Sequence, residues 1–315
     1  MLNTFYCSPD KLNLVMGSAT ATGILVDDFR QIPLPDGAMI NGIITNVDVM
    51  CDFLDTIAKE YHLQGGATGS NQLLSSPSRI IIQAANIVTK ILEVPPVDDA
   101  QIREIIRREF TQYEDVSELE STTLYDYTVL NQRGPNGGVE IMAASASREM
   151  IEDYRRAFVQ ATYNVEQIGV GVEALIKLVS LLPQLTGQTY MLAQVEAARM
   201  TVAMFVDGTF RLFNGYRLTS ELGSEAWIGE IGQNLASMLQ FSRAQRGQTE
   251  LGQVFFAGVT PQGIDRLKAD FEYLNVALQH FDLSGVVSVS DKITADRQFD
   301  PGMLLFNLGA LVKRA

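Results

Sequence analysis

YMLAQVEAARMTVAMFVDGTFRLFNGY, residues 190–216, contains three consecutive apolar segments of strand length. The pattern predicts strands over residues 190–195, 200–206 and 209–213. Asp207 and Gly208 separate the second segment from the third, and both residues tolerate the positive φ angles that a two-residue hairpin requires. A long helical pattern follows at residues 224–245, and Gly247 is its predicted C-terminal stop. We therefore predict that this hairpin opens the second half of an α/β protein.

A similar pattern lies near the start of the chain. Short strands are predicted over residues 12–16, 22–25 and 29–32, separated by a small-residue turn, Gly17-Ser18-Ala19-Thr20, and by an acidic turn, Asp27-Asp28. Two copies of one hairpin-bearing unit indicate two related lobes.

Length and charge limit the function classes. A chain of 315 residues is long for a single domain, which favours two lobes. Its 24 basic and 37 acidic residues give a formal charge of −13. Nucleic-acid binding relies on clustered Lys and Arg, and the sequence contains no such cluster. We therefore expect no nucleic-acid partner.

The cysteines and the N-terminal segment indicate a cytoplasmic protein. Cys7 and Cys51 form no CxxC motif or disulfide framework, which favours a reducing compartment. The sequence MLNTFYCSPD lacks the features of a signal peptide, and no apolar run reaches the ~18 residues of a membrane-spanning helix. We expect no direct membrane insertion.

Residues 86–162 have the pattern of a small α/β unit. A strand over 87–94 is followed by a helix capped by Asp98, by strands over 124–131 and 139–145, and by a helix capped by Ser147. The predicted domains are a first lobe of residues 1–85, completed by 163–186 and the C-terminal helix 301–315, an inserted subdomain of residues 86–162, and a second lobe of residues 187–300.

Motifs for catalysis or metal binding are weak. The Gly17–Thr20 turn has the composition of a phosphate-binding loop, although an ordinary tight connection between strands is the simpler interpretation. His62 and His280 lack the spacing of zinc ligands, and neither a GxSxG nor a P-loop motif occurs. Glu196 and Arg199 are more simply an ion pair at the end of a strand than an acid/base pair.

Three segments carry a family resemblance. They are LVMGSATAT (residues 14–22), LPDGAMINGIITNVDVMCDFL (34–54) and RIIIQAANIVTKILEVPPVDDAQIREIIRREFTQY (79–113). With the order of the remaining segments, they resemble the PilM family of type IV pilus assembly proteins and, more distantly, FtsA and the cytoplasmic part of type II secretion L proteins. The resemblance covers nearly the whole chain. It implies an α/β, actin-like (ribonuclease H-like) fold in two lobes, with a small α/β insertion in the first.

The resemblance also implies a degenerate nucleotide site. Nucleotide-binding members of this superfamily have an aspartate and a glycine-rich turn in each hairpin, which hold Mg²⁺ and phosphates. In this chain Val15 and Gln194 stand at the acidic positions and Glu196 at a glycine position, while Thr22 replaces a usual lysine. The phosphate-loop residues still present are Gly17, Ser18, Thr20 and Gly258. We expect no catalytic residue and no metal, and ATP with Mg²⁺ is disfavoured as a cofactor.

The resemblance further implies a partner. PilM-like proteins bind the short cytoplasmic N-terminal peptide of a bitopic membrane protein, PilN, in a groove between the first lobe and its insertion. In this chain the groove would be bounded by residues 80–83, 87–94 and 101–110. The candidate contact residues are Ile87, Ile91, Arg103, Arg107 and Arg108, although each apolar one, taken by itself, is more simply explained as core.

We therefore expect a cytoplasmic scaffold that reaches the inner face of the membrane through partners, including other pilus assembly components. One alternative is an ATP-binding switch of the same machine. Another is an FtsA-like filament protein, which would polymerise on its own. Self-association as a homo-oligomer is left open.

Overall fold

The structure is a computed structural model, and it describes residues 1–64, 72–111, 122–196, 198–246, 251–272, 276–291, 293 and 298–313. In chain order the strands are β1 (Leu2–Cys7), β2 (Lys11–Ala19), β3 (Ile24–Pro33), β4 (Met39–Ile40), β5 (Ile43–Ile44), β6 (Pro77–Ile82), β7 (Val88–Val94), β8 (Thr123–Asn131), β9 (Val139–Ser147), β10 (Asn164–Val170), β11 (Tyr190–Glu196), β12 (Arg199–Val206), β13 (Thr209–Arg217), β14 (Gln253–Ala257), β15 (Ala277–His280) and β16 (Val287–Val289). The α-helices are α1 (Val47–Gln64), α2 (Gln72–Ser75), α3 (Asp99–Thr111), α4 (Arg148–Gln160), α5 (Gly171–Val179), α6 (Glu225–Arg246), α7 (Pro261–Phe271) and α8 (Leu305–Leu311).

The chain divides into two compact units, which we call unit 1 and unit 2. Unit 1 comprises Met1–Asn3 and Pro33–Glu173, and unit 2 comprises Thr4–Ile32 and Ala174–Ala315. These bounds differ from the predicted lobes, because the N-terminal strands are grouped with the C-terminal half of the chain. The predicted lobe boundaries stay predictions.

Unit 1 contains a small antiparallel sheet in the order β7-β9-β8. Helix α3 packs on one face of this sheet, where Ile102 and Ile106 join Val94, Ile141 and Ala143 in a separate core. Asp98 accepts a hydrogen bond from the backbone of Gln101, and the Ser147 side chain caps α4. The predicted order of strands and helices in residues 86–162 is confirmed.

The β4-β5 hairpin of unit 1 turns through Asn41 and Gly42, which both have positive φ. The hydroxyl of the buried Tyr154 on α4 donates a hydrogen bond to the carbonyl of Gly42 at 2.9 Å. This bond fixes the turn against the helix.

Unit 2 contains a five-stranded sheet in the order β13-β12-β11-β14-β15. Strand β11 lies at its centre, and all seven of its residues are buried. On one face Met191, Ala193 and Val195 share a core with residues of α6 and α7 such as Trp227 and Leu267. The predicted three-strand pattern, the Asp207-Gly208 turn and the long helix α6 are confirmed. The predicted C-terminal stop of that helix, Gly247, lies outside the described residues.

The N-terminal strands differ from the prediction. Strand β1 was not predicted, β2 continues through Gly17 to Ala19, and β3 continues through the expected Asp27-Asp28 turn. The neighbours in this part of unit 2 are β1, β2, β3 and β16, in that order.

Helix α8 is buried along its whole length. The Asn307 side chain donates hydrogen bonds of 2.9 Å to the backbone carbonyls of Thr4 on β1 and Asn13 on β2. The N-terminal hairpin of unit 2 is therefore hydrogen-bonded to a helix near the C-terminal end of the sequence.

In the described part of the chain, no helix is both long and apolar enough to cross a membrane.

Candidate functional site

The tip of the β1-β2 hairpin is formed by Ser8, Pro9 and Asp10. The Ser8 backbone amide donates a hydrogen bond to the Lys11 carbonyl at 2.8 Å, and the Ser8 hydroxyl lies 3.1 Å from both that carbonyl and Asp10 Oδ1. Pro9 has no backbone N–H. The tip thus offers an anion fewer backbone donors than a glycine-rich turn of the same length would.

A buried hydrogen bond joins this hairpin to the end of β11. The Tyr6 hydroxyl donates to Glu196 Oε2 at 3.1 Å, and the two side chains are only 1% and 4% exposed. The Tyr6 ring packs edge-on against Phe306 of α8, with centroids 4.8 Å apart. Residues 190 positions apart in sequence therefore meet within unit 2, and we call Tyr6 and Glu196 the tip pair.

Burial controls the ionisation of this region. It raises the pKa of Glu196 to about 7, although the Tyr6 hydrogen bond and the charges of Lys11 and Arg199 act in the opposite direction. Burial, followed by the nearby Glu196 charge, raises the pKa of Tyr6 well above its ordinary value. Burial also raises the pKa of Cys7 to about 12. At neutral pH Tyr6 is a neutral donor, Cys7 is a neutral thiol, and Glu196 lies near the midpoint of its titration.

Gly258 follows β14 and packs directly against the same end of β11. Its φ of +77° lies in the left-handed region, and a Cβ at this position would collide with the carbonyl oxygen of Val195. The Met303 sulfur would be 3.2 Å from that Cβ. A glycine is therefore required by the close approach of backbone to backbone.

Gln194 lies two residues before Glu196 and faces the same side of the sheet, directly opposite Thr201 and Ala257. It is 3% exposed, and among the described residues neither its amide oxygen nor its amide nitrogen has a hydrogen-bond partner. The same holds for Glu196 Oε1. Buried polar atoms usually have a partner, so this end of β11 is suited to a water molecule or a small polar ligand.

The predicted phosphate-loop residues are not all brought together. Gly17 and Ser18 lie within β2 and Thr20 directly after it, so the prediction of a turn over residues 17–20 is wrong. Ser18 is seven residues from Lys11 along an extended strand, a separation of about 23 Å. These three residues therefore lie at the opposite end of β2 from the tip pair, whereas Gly258 lies beside it.

Val15 and Thr22 also lie away from the tip pair. Val15 is buried in the middle of β2, where its carbonyl accepts a hydrogen bond from Thr4 Oγ1, and Thr22 is exposed in the loop before β3. The two residues therefore do not replace a metal-holding acid and a lysine at this hairpin tip. The resemblance gave four positions at which this chain lacks a residue of the nucleotide site. Two of them, Gln194 and Glu196, lie near the tip of the β1-β2 hairpin.

The candidate partner residues all belong to unit 1. Ile87 and Ile91 are half-buried. Leu92 of β7 faces the core shared with α3, so its neighbour Ile91 lies on the opposite face of the sheet. Strand β7 and helix α3 are therefore packed against each other and are not two separate walls of a groove. The wall predicted at residues 80–83 is buried as well.

The three candidate arginines have acidic partners on their own helix. Arg103 pairs with Asp99 at 2.8 Å and with Asp126 of β8 at 3.3 Å, while Arg107 and Arg108 both pair with Glu104, at 2.7 and 2.9 Å. The hydrogen bonds from Arg107 and Arg108 lower the pKa of Glu104. A bound acidic peptide would have to share or displace these contacts.

The sequence contains a turn pattern at the tip of the β1-β2 hairpin, which the prediction of a turn over residues 17–20 missed. Ser-Pro-Asp is typical of a turn, and it stands between the apolar runs that form β1 and β2. The contribution of Tyr6 could not be read in this way, because its partner Glu196 is remote in sequence.

The chain was compared with known proteins. No protein-family model and no curated protein sequence matches it. Among solved structures, the "PilM-PilN type IV pilus biogenesis complex" superposes with a TM-score of 0.74 at 15% identity, covering 98% of this chain and 96% of that chain. In fold, this chain is PilM-like.

Two further solved structures also superpose on this chain over most of its length. The cytoplasmic domain of EpsL, an inner membrane component of the type II secretion system of Vibrio cholerae, superposes with a TM-score of 0.50 at 10% identity and covers 100% of this chain and 96% of its own. A Bacteroides thetaiotaomicron protein of unknown function with an actin-like ATPase fold has a TM-score of 0.50 at 11% identity, covering 89% of this chain and 90% of its own. The predicted actin-like α/β fold is confirmed.

Proposed function

We propose that this protein is a cytoplasmic scaffold of a type IV pilus or related secretion machine. The observation that carries the proposal is the superposition on PilM over nearly the full length of both chains. The structure compared is a complex with PilN, and the EpsL domain belongs to a secretion system. The role proposed for this chain is to bind the cytoplasmic N-terminal peptide of a PilN-like bitopic protein.

The nucleotide site of this scaffold is proposed to be degenerate. Mg²⁺ prefers ionised oxygen ligands, whereas Glu196 is buried, bonded to Tyr6 and has a pKa of about 7. The adjacent hairpin tip contains Pro9 where a phosphate would need backbone donors. The residues at the tip pair thus fit Mg·ATP poorly, which supports a protein without ATPase activity.

One observation favours the ATP-binding switch as a second candidate. Gln194 and Glu196 Oε1 are buried without a hydrogen-bond partner among the residues that the structure describes, beside the Gly258 turn. A polar ligand would satisfy them. Binding of ATP to the intact protein would promote this candidate over the pure scaffold.

The scaffold proposal is tested with the first twenty residues of a bitopic membrane protein encoded beside this gene. We expect the labelled peptide to bind the purified chain in a fluorescence anisotropy titration. Ile91→Asp, on the sheet face away from α3, should weaken binding at least tenfold. Val129→Asp is the matched control, because this exposed apolar residue lies on β8, the strand of that sheet farthest from β7.

Equal affinity of the Ile91→Asp protein and the wild type would place the peptide site elsewhere. Failure of every such peptide to bind, with polymerisation of the chain alone, would favour the FtsA-like filament protein.

A further inference from the structure

The tip of the β1-β2 hairpin is tied to the end of β11 by a buried hydrogen bond. Pro9 and Asp10 at the tip are exposed, whereas Tyr6 and Glu196, the tip pair, are buried. Helix α8 holds the same hairpin elsewhere, through the hydrogen bonds from Asn307 to its backbone. Loss of the bond within the tip pair would therefore remove a tie at the tip and leave the hairpin attached to α8.

The Glu196 carboxyl group has few hydrogen-bond partners for a buried acid. Oε2 accepts the bond from the Tyr6 hydroxyl at 3.1 Å, and Oε1 has no partner among the described residues. An ionised carboxylate accepts several hydrogen bonds, and a buried charge without them is costly. The protonated group needs fewer partners. The closed arrangement therefore suits neutral Glu196, and ionisation favours an arrangement in which water reaches the carboxylate.

The titratable groups that act on Glu196 come from β1, from the tip of the hairpin and from β12. They are Tyr6, Lys11, Arg199 and Asp10. The two cations favour the ionised form and the aspartate opposes it, but burial has the largest effect and raises the pKa of Glu196 to about 7.

The other elements around the tip pair add little charge. Cys7, next to Tyr6, is a buried neutral thiol. Strand β14 and helix α8 contain no titratable residue. Asp300, in the segment before α8, accepts a hydrogen bond from the backbone N–H of Gly302 at 2.8 Å. The balance between the two forms of Glu196 is therefore set by its burial and by the charges at the tip and on β12.

We propose that the tip pair is a proton-dependent latch on the N-terminal hairpin. With Glu196 protonated, the carboxyl group stays buried against Tyr6 and the latch is closed. When the proton leaves, the carboxylate moves toward water and toward the charges of Lys11 and Arg199, the bond to Tyr6 breaks, and the tip separates from β11. Glu196 titrates near pH 7, so both forms are populated at neutral pH. The latch lies within unit 2 and is separate from the peptide site proposed in unit 1.

Hydrogen exchange of the intact chain at pH 5 and pH 8, corrected for the intrinsic rate at each pH, tests the latch. In the wild type, protection of the amides in residues 5–12 should fall by up to about seventyfold from pH 5 to pH 8, the ratio for a carboxyl group whose pKa is about 7 when closed and 4.5 when open. Glu196→Gln should keep this protection constant, because glutamine stays neutral and can accept the Tyr6 bond. Asp10→Asn is the matched control at an exposed carboxylate of the same tip, and it should retain the pH dependence.

Tyr6→Phe tests the bond itself. Phenylalanine keeps the ring that packs on Phe306 and removes the hydroxyl donor. Protection of the tip should therefore fall at pH 5, where the wild-type latch is closed. Wild-type protection of this variant at pH 5 would contradict the latch.

Low concentrations of urea separate opening of the latch from global unfolding. Local opening exposes little surface, so exchange of the tip amides at pH 8 should hardly depend on urea, whereas exchange of the buried β11 amides should accelerate strongly. The same urea dependence at the tip and in β11 would mean that the tip opens only when the unit unfolds, and it would overturn the proposal. Equal tip protection of the wild type at both pH values, or a wild-type pH dependence in Glu196→Gln, would also overturn it.

Discussion

Replacing Glu196 by glutamine is expected to stabilise the protein at pH 8 much more than at pH 5. The pKa of Glu196 is raised from 4.5 to about 7 in the folded protein. This shift of about 2.5 pKa units corresponds to about 3 kcal/mol, at 1.36 kcal/mol per unit. Because the folded state holds the proton more tightly than the unfolded chain, stability falls as the pH rises from about 4.5 to 7, and the loss is complete above that interval.

Glutamine removes the ionisation but keeps an oxygen that can accept the Tyr6 hydrogen bond. The expected gain from the lost ionisation is therefore about 3 kcal/mol at pH 8 and less than about 1 kcal/mol at pH 5. A buried amide also introduces new donors, and their cost is the same at both pH values. The stability difference between the variant and the wild type is therefore determined at both pH values. The change in that stability difference from pH 5 to pH 8 measures the ionisation of the buried carboxylate.

Scanning calorimetry at pH 5 and pH 8 measures this change and resolves separate transitions if the two units unfold independently. The stability gain of the variant is expected to differ by about 2.5 kcal/mol between the two pH values. Since about 1 kcal/mol shifts Tm by about 2–4 °C in domains of this size, the Tm offset of the variant from the wild type should change by several degrees. Glu221→Gln, at an exposed carboxylate, is the control and should show no such change. An offset for Glu196→Gln that is the same at both pH values would refute the reasoning.

Three other outcomes are expected. Saturating Mg·ATP should leave Tm unchanged, whereas a ligand at ~100 times its dissociation constant would stabilise the protein by ~2.7 kcal/mol and would support the switch. Gly258→Ala should destabilise by about 2 kcal/mol or more in denaturant titrations, because alanine is strained at this φ and its Cβ meets a carbonyl, while Gly229→Ala in α6 has open space and should gain up to about 1 kcal/mol. Tyr154→Phe should lose about 1–2 kcal/mol by removing the hydrogen bond to Gly42, and a wild-type melting temperature for this variant would contradict that role.

The local elements with clear turn and cap chemistry could be predicted from the sequence. Asp207 and Gly208 adopt the positive φ angles of the hairpin turn, and the Ser147 side chain caps α4; both features are found as expected. The actin-like fold followed from the order of such elements together with the family resemblance.

The N-terminal hairpin could not be predicted as well, for a physical reason. Small residues such as Gly17 suit a turn, but they also suit a strand packed closely against its neighbour, and a Cβ on Gly17 would meet the carbonyl of Leu25. The acidic Asp27-Asp28 pair is accommodated within β3 at half-buried positions. The amino-acid composition of these short segments therefore does not distinguish a turn from a strand.

The candidate site was the least predictable part. Glu196 and Tyr6 are 190 residues apart, and the burial that shifts their pKa values exists only in the folded chain. The partners of Arg107 and Arg108 were present in the sequence as Glu104, three and four residues earlier, and this spacing is the usual one for ion pairs on a helix.

The hydrogen bonds from Asn307 to Thr4 and Asn13 set an order of events during synthesis. A ribosome adds about 5–20 residues per second, so it makes Asn307 about 15–60 seconds after the first hairpin has been translated. During that interval the inner surface of β1 and β2 lacks the helix that covers it in the native protein. Strands with uncovered apolar faces are prone to aggregate, and the nascent chain therefore has a period in which chaperone protection of its N-terminal strands would matter most.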